Sequence, residues 1–126
     1  MHLFAPELYW SLTPEIRTEI CNGCGLALAK FDFVPNHIYG LCISDACNIH
    51  DYMYHVGETL ADKEEADRVF LNNMLRLIEA GTGWLKIFRR RRALKYYEAV
   101  TAFGGPAFWS GKNAASEFRE VEAITN

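Results

Sequence analysis

The chain has no long apolar stretch, no internal repeat and no low-complexity segment. None of its 126 residues belongs to an unbroken apolar run of about 18 residues, which a membrane-spanning helix needs. The formal net charge is only -3, so no general attraction to nucleic acid or to an anionic membrane is expected. No linker rich in Pro, Gly and Ser divides the sequence, and residues 1–126 are therefore expected to form a single domain.

Features of a secretory signal peptide and of a disulfide-scaffolded miniprotein are also missing. The first ten residues contain Glu7, no Lys or Arg and no continuous apolar stretch, so as written they do not predict a signal peptide. The 4 cysteines, at positions 21, 24, 42 and 47, are too few to hold the whole fold together. Their close spacing is typical of one or two disulfides or of a metal site. Composition alone leaves the redox compartment open.

Alternation typical of strands is absent, whereas signals for helix ends are frequent. Thr13 before Pro14 predicts the start of a first helix, which stops at Gly23. Asp62 followed by Glu65 is a capping-box pattern that predicts the start of another helix. The sequence therefore predicts a mainly α fold, with further helices over 44–56, 62–80 and 84–103, a short helix near 114–123, and a long loop over 25–43 that turns near 34–36.

One face of the predicted helix 44–56 carries side chains capable of chemistry. The spacing i, i+3, i+4 and i+7 places four of them on the same side: Cys47, His50, Asp51 and Tyr54. An isolated His-Asp pair belongs to a solvated surface more often than to a site. The next helix shifts the balance toward a site.

The predicted helix 62–80 places a carboxylate among apolar side chains. Asp67 lies one turn before the apolar stripe of this helix, which consists of Phe70, Leu71, Met74 and Ile78. A buried carboxylate is costly unless it is paired, so Asp67 needs a partner on a facing helix. The short connection after Gly57 makes the two helices antiparallel neighbours, and His50 is the expected partner. An imidazole held by a carboxylate through one nitrogen keeps the other nitrogen free to act as a general base.

A glycine-containing turn precedes these helices in the sequence. Residues 21–25 read Cys-Asn-Gly-Cys-Gly, and glycines allow a loop to turn its carbonyl oxygens inward. Several carbonyls together with a carboxylate such as Asp51 suit calcium, which takes about six to eight oxygen ligands. The turn alone is a weak signal for such a site.

Four segments in the same order resemble the phospholipase A2 superfamily. Residues 46–54, Ala-Cys-Asn-Ile-His-Asp-Tyr-Met-Tyr, look like its active-site helix, and Gly23-Cys24-Gly25 looks like the centre of its calcium loop. Residues 66–68, Ala-Asp-Arg, look like the element whose aspartate orients the histidine, and residues 96–104 are similar to the closing helix of compact bacterial members. The resemblance spans residues 23–104 and implies an antiparallel pair of active-site helices with a preceding calcium loop and additional flanking helices.

The resemblance also implies an activity and a role for individual residues. The activity is calcium-dependent hydrolysis of the sn-2 ester of glycerophospholipids, which releases fatty acid and lysophospholipid. His50 would activate the attacking water and Asp67 would orient His50. Hydrogen bonds to Asp67 would come from two tyrosines, Tyr54 and either Tyr96 or Tyr97.

The calcium site and a disulfide are implied in the same way. Asp51 would bind Ca²⁺ through its carboxylate, and the backbone carbonyls of Gly23, Gly25 and Ala27 would complete the protein ligands. The Gly25 amide and the calcium ion would together stabilise the oxyanion of the reaction. A Cys24–Cys47 disulfide would tie the loop to the helix.

Some positions depart from the family pattern and indicate which type of phospholipase A2 the chain resembles. Met53 stands where animal members carry a further cysteine, and only 17 positions separate His50 from Asp67, which leaves no room for their β-hairpin. These departures favour the compact bacterial, fungal or viral type. Ala27 stands where a glycine is common, and whether Cys21 and Cys42 pair is left open.

Two alternatives from other functional classes stay open. A small helical zinc module would use Cys21, Cys24, Cys42 and Cys47, with His50 or His37 as a substitute ligand. This alternative leaves Asp67 and Tyr54 without a role. The second alternative is a catalytically inactive phospholipase A2-like binding protein. Such a protein would be expected to lack one of the key residues, all of which are present: Gly25, His50, Asp51 and Asp67.

One segment of the chain is rich in basic residues and is relevant to the question of a membrane partner. Six of the 13 Lys and Arg residues fall between Lys86 and Lys95, including four consecutive arginines, Arg89 to Arg92. Such a run is usually a solvated face, but next to Trp84 and Phe88 it is compatible with peripheral contact to a phospholipid membrane or micelle. Arg89 is expected to lean toward the core or toward an acidic neighbour.

The implied chemistry sets an expected location. A calcium-dependent enzyme with a disulfide is expected to be secreted or extracellular, with the cytoplasm or a larger particle as the alternative. No nucleic-acid partner is expected, and the sequence does not indicate an oligomeric state.

Overall fold

The structure is a computed structural model, and it describes residues 3–20, 37–81 and 83–109. These residues are mainly helical, as the sequence predicts. None of their helices combines the length and the apolar character that crossing a bilayer requires. The elements in chain order are α1 (Glu7–Trp10), α2 (Pro14–Ile20), β1 (His37–Ile38), β2 (Leu41–Cys42), α3 (Ser44–Val56), α4 (Leu60–Ala80), α5 (Lys86–Phe103) and α6 (Gly105–Trp109).

The starts of two helices follow from side-chain capping. Thr13 Oγ1 accepts a hydrogen bond of 3.2 Å from the Ile16 N–H, so the predicted cap of α2 is confirmed. The capping box predicted for Asp62 and Glu65 is wrong. Thr59 and Asp62 form it instead, each side chain accepting from the other's backbone N–H at 3.1 Å. Helix α4 consequently begins two positions before the predicted start, at Leu60.

Helices α3, α4 and α5 form the body of the described structure. Contacts between α3 and α4 join His50 to Asp67, whereas those between α4 and α5 join Lys63 to Val100 near one end and Glu79 to Arg90 near the other. Residue numbers therefore rise along one helix as they fall along the next, so α4 and α5 are antiparallel. The predicted apolar stripe of α4 enters the core through Phe70, Met74 and Ile78. The core also includes residues of β1, α3, α5 and α6: Ile38, Ala46, Ala93, Val100 and Phe108.

A short hairpin lies within the predicted loop 25–43. Strands β1 and β2 pair antiparallel, with Ile38 opposite Leu41. The turn between them has Tyr39 at φ 47° and Gly40 at φ 82°, and a positive φ at both central positions suits a tight hairpin turn. The expectation of no strands is thus wrong for residues 37–42, because two-residue strands are too short to show alternation. The predicted turn near 34–36 lies outside the described residues, as do the end of the first helix and the short helix near 114–123.

Two further helices pack on this body without having been predicted. Helix α6 follows α5 directly and buries Phe108 against the ring of Tyr54, with ring centroids 5.2 Å apart. Helix α1 lies near the N-terminus, where the backbone of Phe4 exchanges two hydrogen bonds with the buried side chain of Asn73, at 2.6 and 2.7 Å. Helix α5 begins at Lys86, two residues later than predicted.

Candidate active site

The imidazole of His50 and the carboxylate of Asp67 face each other between α3 and α4. His50 Nε2 lies 2.8 Å from Asp67 Oδ1, and the two residues are 2% and 1% exposed. The apolar stripe of α4 carries Asp67 into the interior, and the ring of Phe70 one turn later stacks on His50 with centroids 4.6 Å apart. The carboxylate can only accept, so Nε2 carries the proton and Nδ1 presents a lone pair.

Tyr54 completes this pair from the next turn of α3. Its hydroxyl donates a 2.7 Å hydrogen bond to Asp67 Oδ1, the oxygen that also contacts His50. The ring of Tyr54 lies against that of His50, with centroids 4.1 Å apart. Gly104 makes room for the hydroxyl, because a methyl group at this position would overlap the Tyr54 oxygen. Three residues predicted to act together are therefore in contact.

Lys63 is a member of this cluster that the sequence analysis missed. Its ammonium group donates to Asp67 Oδ2 at 2.8 Å and to the backbone carbonyl of Val100 at 3.1 Å. The residue is only 6% exposed. Its position four residues before Asp67 on the same helix is the signal that was available, since side chains at i and i+4 are neighbours.

The predicted hydrogen bond from Tyr96 or Tyr97 to Asp67 is wrong. Tyr97 lines a cavity of about 370 Å³ beside Lys63 and Asp67. Among the described residues, however, the side-chain hydrogen bonds to the carboxylate come from His50, Lys63 and Tyr54. Tyr96 is buried in the main core, and burial raises its pKa. The hydrogen bond to Asp67 Oδ2 that was expected from a tyrosine comes from Lys63 instead. The Val100 carbonyl of α5 accepts a second hydrogen bond from the same ammonium group.

The environment favours an ionised aspartate and a neutral histidine. Burial lowers the pKa of His50 below its ordinary value of 6.5, the charge of Lys63 lowers it further, and Asp67 opposes both effects. Burial by itself raises the pKa of Asp67, but hydrogen bonds from His50, Lys63 and Tyr54 outweigh it and hold that pKa below the ordinary value. Burial also raises the pKa of Tyr54, so its hydroxyl remains a donor.

Asp51 supplies the donor type that calcium prefers. The residue follows His50 on α3 and is 6% exposed, and carboxylate oxygens are typical calcium ligands. The chemical type of Asp51 is thus the one that the predicted role requires, and the role itself stays a prediction. The predicted carbonyl ligands, Gly23, Gly25 and Ala27, lie outside the described residues. Within 3–20, 37–81 and 83–109, no three His, Cys, Asp or Glu side chains are grouped to hold a metal ion.

The cysteines bear on the zinc alternative. Cys47 is disulfide-bonded, whereas Cys42 is free and lies 3.3 Å from the Ser44 hydroxyl. A sulfur in a disulfide is not available as a thiolate ligand, so a four-cysteine zinc site is disfavoured. Cys24, the predicted partner of Cys47, and Cys21 lie outside the described residues, and the Cys24–Cys47 pairing stays a prediction.

The basic segment has mostly internal partners. Arg89 donates to the carbonyls of Ile38 and Tyr39 at 3.1 and 2.6 Å, so it leans toward the hairpin, and Arg90 pairs with Glu79. Arg92 donates to the Tyr39 hydroxyl at 3.2 Å. Arg91 is exposed and has no partner within the part of the chain that the structure describes. Two of the four arginines, Arg89 and Arg92, therefore hold the hairpin against α5.

Comparison with known proteins gives no relative from which a function could be inferred. No protein-family model, curated protein or solved structure matches this chain.

Proposed function

We propose that the chain is a calcium-dependent lipolytic enzyme of the phospholipase A2 type, which hydrolyses the sn-2 ester of glycerophospholipids. The observation that carries the proposal is the buried contact of His50, Asp67 and Tyr54 between α3 and α4. Histidine and aspartate at this distance form a base with a fixed tautomer. The buried carboxylate of Asp51 directly follows the base in the sequence.

In this proposal the chain's own residues activate and position the water. Nδ1 of His50 forms no hydrogen bond within the described residues, so its lone pair is available to a water molecule. His50 takes a proton from that water as the oxygen attacks the ester carbonyl, and then returns a proton to the leaving alcohol. Asp67 holds the imidazole and stabilises its charge while it carries the extra proton.

Calcium would be held by Asp51 and by the predicted backbone carbonyls of Gly23, Gly25 and Ala27. When bound, it would supply positive charge to the oxyanion that forms at the ester carbonyl. Asp51 and His50 are neighbours on one helix, so the charge of the ion and the base would act on the same ester. The disulfide at Cys47 lies one helical turn before His50 and would stiffen this end of α3.

The decisive experiment is fatty-acid release from phospholipid vesicles. With calcium present, we expect release of fatty acid from the sn-2 position and accumulation of lysophospholipid, and a calcium chelator should stop both. Substrates labelled separately at the sn-1 and sn-2 chains identify the bond that breaks. Release that is unaffected by the chelator, or that comes from the sn-1 chain, would contradict the proposal.

The pH dependence of this hydrolysis is a first specific prediction. Only neutral imidazole accepts a proton, and burial lowers the pKa of His50 below 6.5. At saturating calcium, the rate should therefore reach half of its maximum at a pH below 6.5. Initial rates between about pH 4 and about pH 8 measure this. The control is His55→Gln, an exposed histidine on the same helix, which should leave the profile unchanged. A half-maximal rate above pH 6.5 would show that the base is not the buried histidine.

We infer that a surface beside the hairpin contacts the lipid. Trp84 is 75% exposed, and its ring packs edge-on against Phe88, which in turn contacts Tyr39. Exposed Ile87 adjoins this cluster in the sequence. Arg91, which is exposed and has no partner among the described residues, lies on the same helix. Aromatic side chains with an adjacent cation are typical of membrane interfaces. The aromatic rings rather than the arginine run as a whole are therefore the proposed contact.

A second prediction separates the two kinds of contact. Trp84→Ala should weaken binding to both anionic and zwitterionic vesicles, because it removes apolar contact. Arg91→Gln should weaken binding only to anionic vesicles, by about fivefold at low salt, and added salt should mimic it. Sedimentation of lipid vesicles with bound protein measures both effects. Hydrolysis of a short-chain monomeric substrate should not change in either variant.

The comparison variant is Leu8→Ala, which removes an exposed apolar side chain from α1. If Leu8→Ala weakens vesicle binding and Trp84→Ala does not, the lipid contact lies at the N-terminal segment and our inference is wrong.

The same features support a location. A disulfide at Cys47 is typical of oxidising compartments, and the proposed calcium requirement favours an environment rich in that ion. We therefore propose that the protein acts outside the cell.

A further inference from the structure

Lys63 is a buried cation in the centre of the proposed site. Taking an ammonium group out of water is costly, and a buried lysine is retained only where its partners are well placed. Lys63 has two such partners, Asp67 Oδ2 at 2.8 Å and the Val100 carbonyl at 3.1 Å. Its ammonium group also lies 5.8 Å from the centre of the Tyr54 ring.

The hydrogen bonds to Asp67 divide between its two oxygens. Oδ1 contacts His50 Nε2 and the Tyr54 hydroxyl, whereas Oδ2 is held by Lys63. A carboxylate fixed through one oxygen can still rotate about its bond to Cβ. Contacts on both oxygens prevent that rotation, so Lys63 determines which edge of the carboxylate His50 meets.

The contact with Val100 anchors the ammonium group from outside α4. Without this anchor, Lys63 and Asp67 would move together as an i, i+4 pair on one helix. The Val100 carbonyl belongs to α5 and also accepts the N–H of Gly104, the residue beside the Tyr54 hydroxyl. Helix α5 thus fixes the position of Lys63 relative to α3.

We propose that Lys63 is a positioning residue for the proposed hydrolysis: anchored on Val100, it holds the Asp67 carboxylate in the orientation that presents Oδ1 to His50. The proposal deepens the proposed function and rests on it for the kinetic readout only. The orientation itself has a spectroscopic readout, because an imidazole that loses its fixed acceptor no longer keeps its proton on one nitrogen.

The principal variant is Lys63→Met, which keeps an unbranched side chain one atom shorter than lysine and removes the charge. We expect kcat on a short-chain monomeric substrate to fall by about 10- to 100-fold, with KM and the Kd for calcium within about twofold of the parent. Nitrogen-15 NMR at about pH 8 should show the Nε2–H tautomer of His50 in the parent chain and a mixture of tautomers in Lys63→Met.

A double-mutant cycle with Asp67→Asn separates positioning from packing. If Lys63 acts through Asp67, adding Lys63→Met to Asp67→Asn should change kcat by less than about twofold. If the second substitution costs as much as it does in the parent chain, Lys63 has a structural role only and the proposal is wrong.

Chemical rescue keeps the test independent of how well methionine fits. Lys63→Ala leaves space that adjoins the cavity of about 370 Å³ lined by Leu60, Asp67 and Tyr97. Ethylammonium should enter and restore both kcat and the single tautomer, whereas ethanol of similar size should not. Rescue by ethanol alone, or a parent-like tautomer and kcat in Lys63→Met, would overturn the proposal.

Failure of the proposed function has a different signature. If the parent chain does not hydrolyse phospholipid but still loses its single tautomer in Lys63→Met, the hydrolytic function is wrong and the orienting role of Lys63 stands.

Discussion

His50→Gln should abolish hydrolysis and leave calcium binding almost unchanged. Glutamine occupies a similar volume next to Phe70, but its amide cannot take a proton from water at neutral pH. Loss of a general base costs about 100- to 10,000-fold in rate. Calcium affinity, measured by isothermal titration calorimetry, should stay within a few fold of the parent because the proposed carboxylate ligand, Asp51, is intact.

Asp51→Asn is the matched variant on the same helix. It removes the charge of the proposed ligand and leaves His50 and Asp67 in contact, so both calcium binding and hydrolysis should be lost. Normal hydrolysis in His50→Gln would refute the base, and normal calcium affinity in Asp51→Asn would refute the metal site. Equal loss of calcium binding in both variants would indicate that His50 supports the calcium loop and does not act as the general base.

Asp67→Asn should lower both the free energy of unfolding and the rate. The substitution leaves the buried ammonium of Lys63 without its carboxylate, and removing one member of a buried pair costs about 3 kcal/mol. The rate should fall by about 100-fold or more because the imidazole loses its fixed orientation. Urea unfolding at neutral pH and initial rates on a monomeric substrate measure the two effects.

The pH dependence of this stability difference follows from the lowered pKa of Asp67. A carboxylate whose pKa is depressed by folding stabilises the native state above its unfolded value of 3.8, and that stabilisation is lost as the pH falls through the folded pKa. The difference in the free energy of unfolding between the parent and Asp67→Asn should therefore become smaller at acidic pH. Glu79→Gln, which removes the exposed partner of Arg90, should change stability much less, since surface pairs contribute little. A stability in Asp67→Asn equal to that of the parent would mean that the buried cluster is not coupled to folding.

Helix α3 and the burial of Asp67 were predictable because both depend on local periodicity. Residues 44–56 form a helix with the predicted bounds, and the stripe of α4 is buried at Phe70, Met74 and Ile78. A carboxylate in line with that stripe has to enter the core whatever its neighbours are. The contact with His50 then follows from the short connection at residues 57–59.

The role of Lys63 was not predictable in the same way. Its burial depends on a backbone carbonyl 37 positions away on α5, and a charge next to another charge on a helix is ordinarily a surface pair. The hairpin was missed for a related reason, since two-residue strands are held by Arg89 from a distant helix rather than by their own pattern. Contacts between distant segments decided both cases.

Gly104 carries a consequence for how such sites are recognised. Its φ of -76° is available to every residue, so the backbone itself does not demand glycine there. The demand is spatial, because any side chain would displace the Tyr54 hydroxyl. Position 104 carries no functional group, yet we expect it to accept as few amino acids as the positions of Asp67 and His50. A search for functional residues by chemical type alone passes over it, and a designer who copies only the reactive side chains onto another scaffold would leave out the empty space that lets them meet.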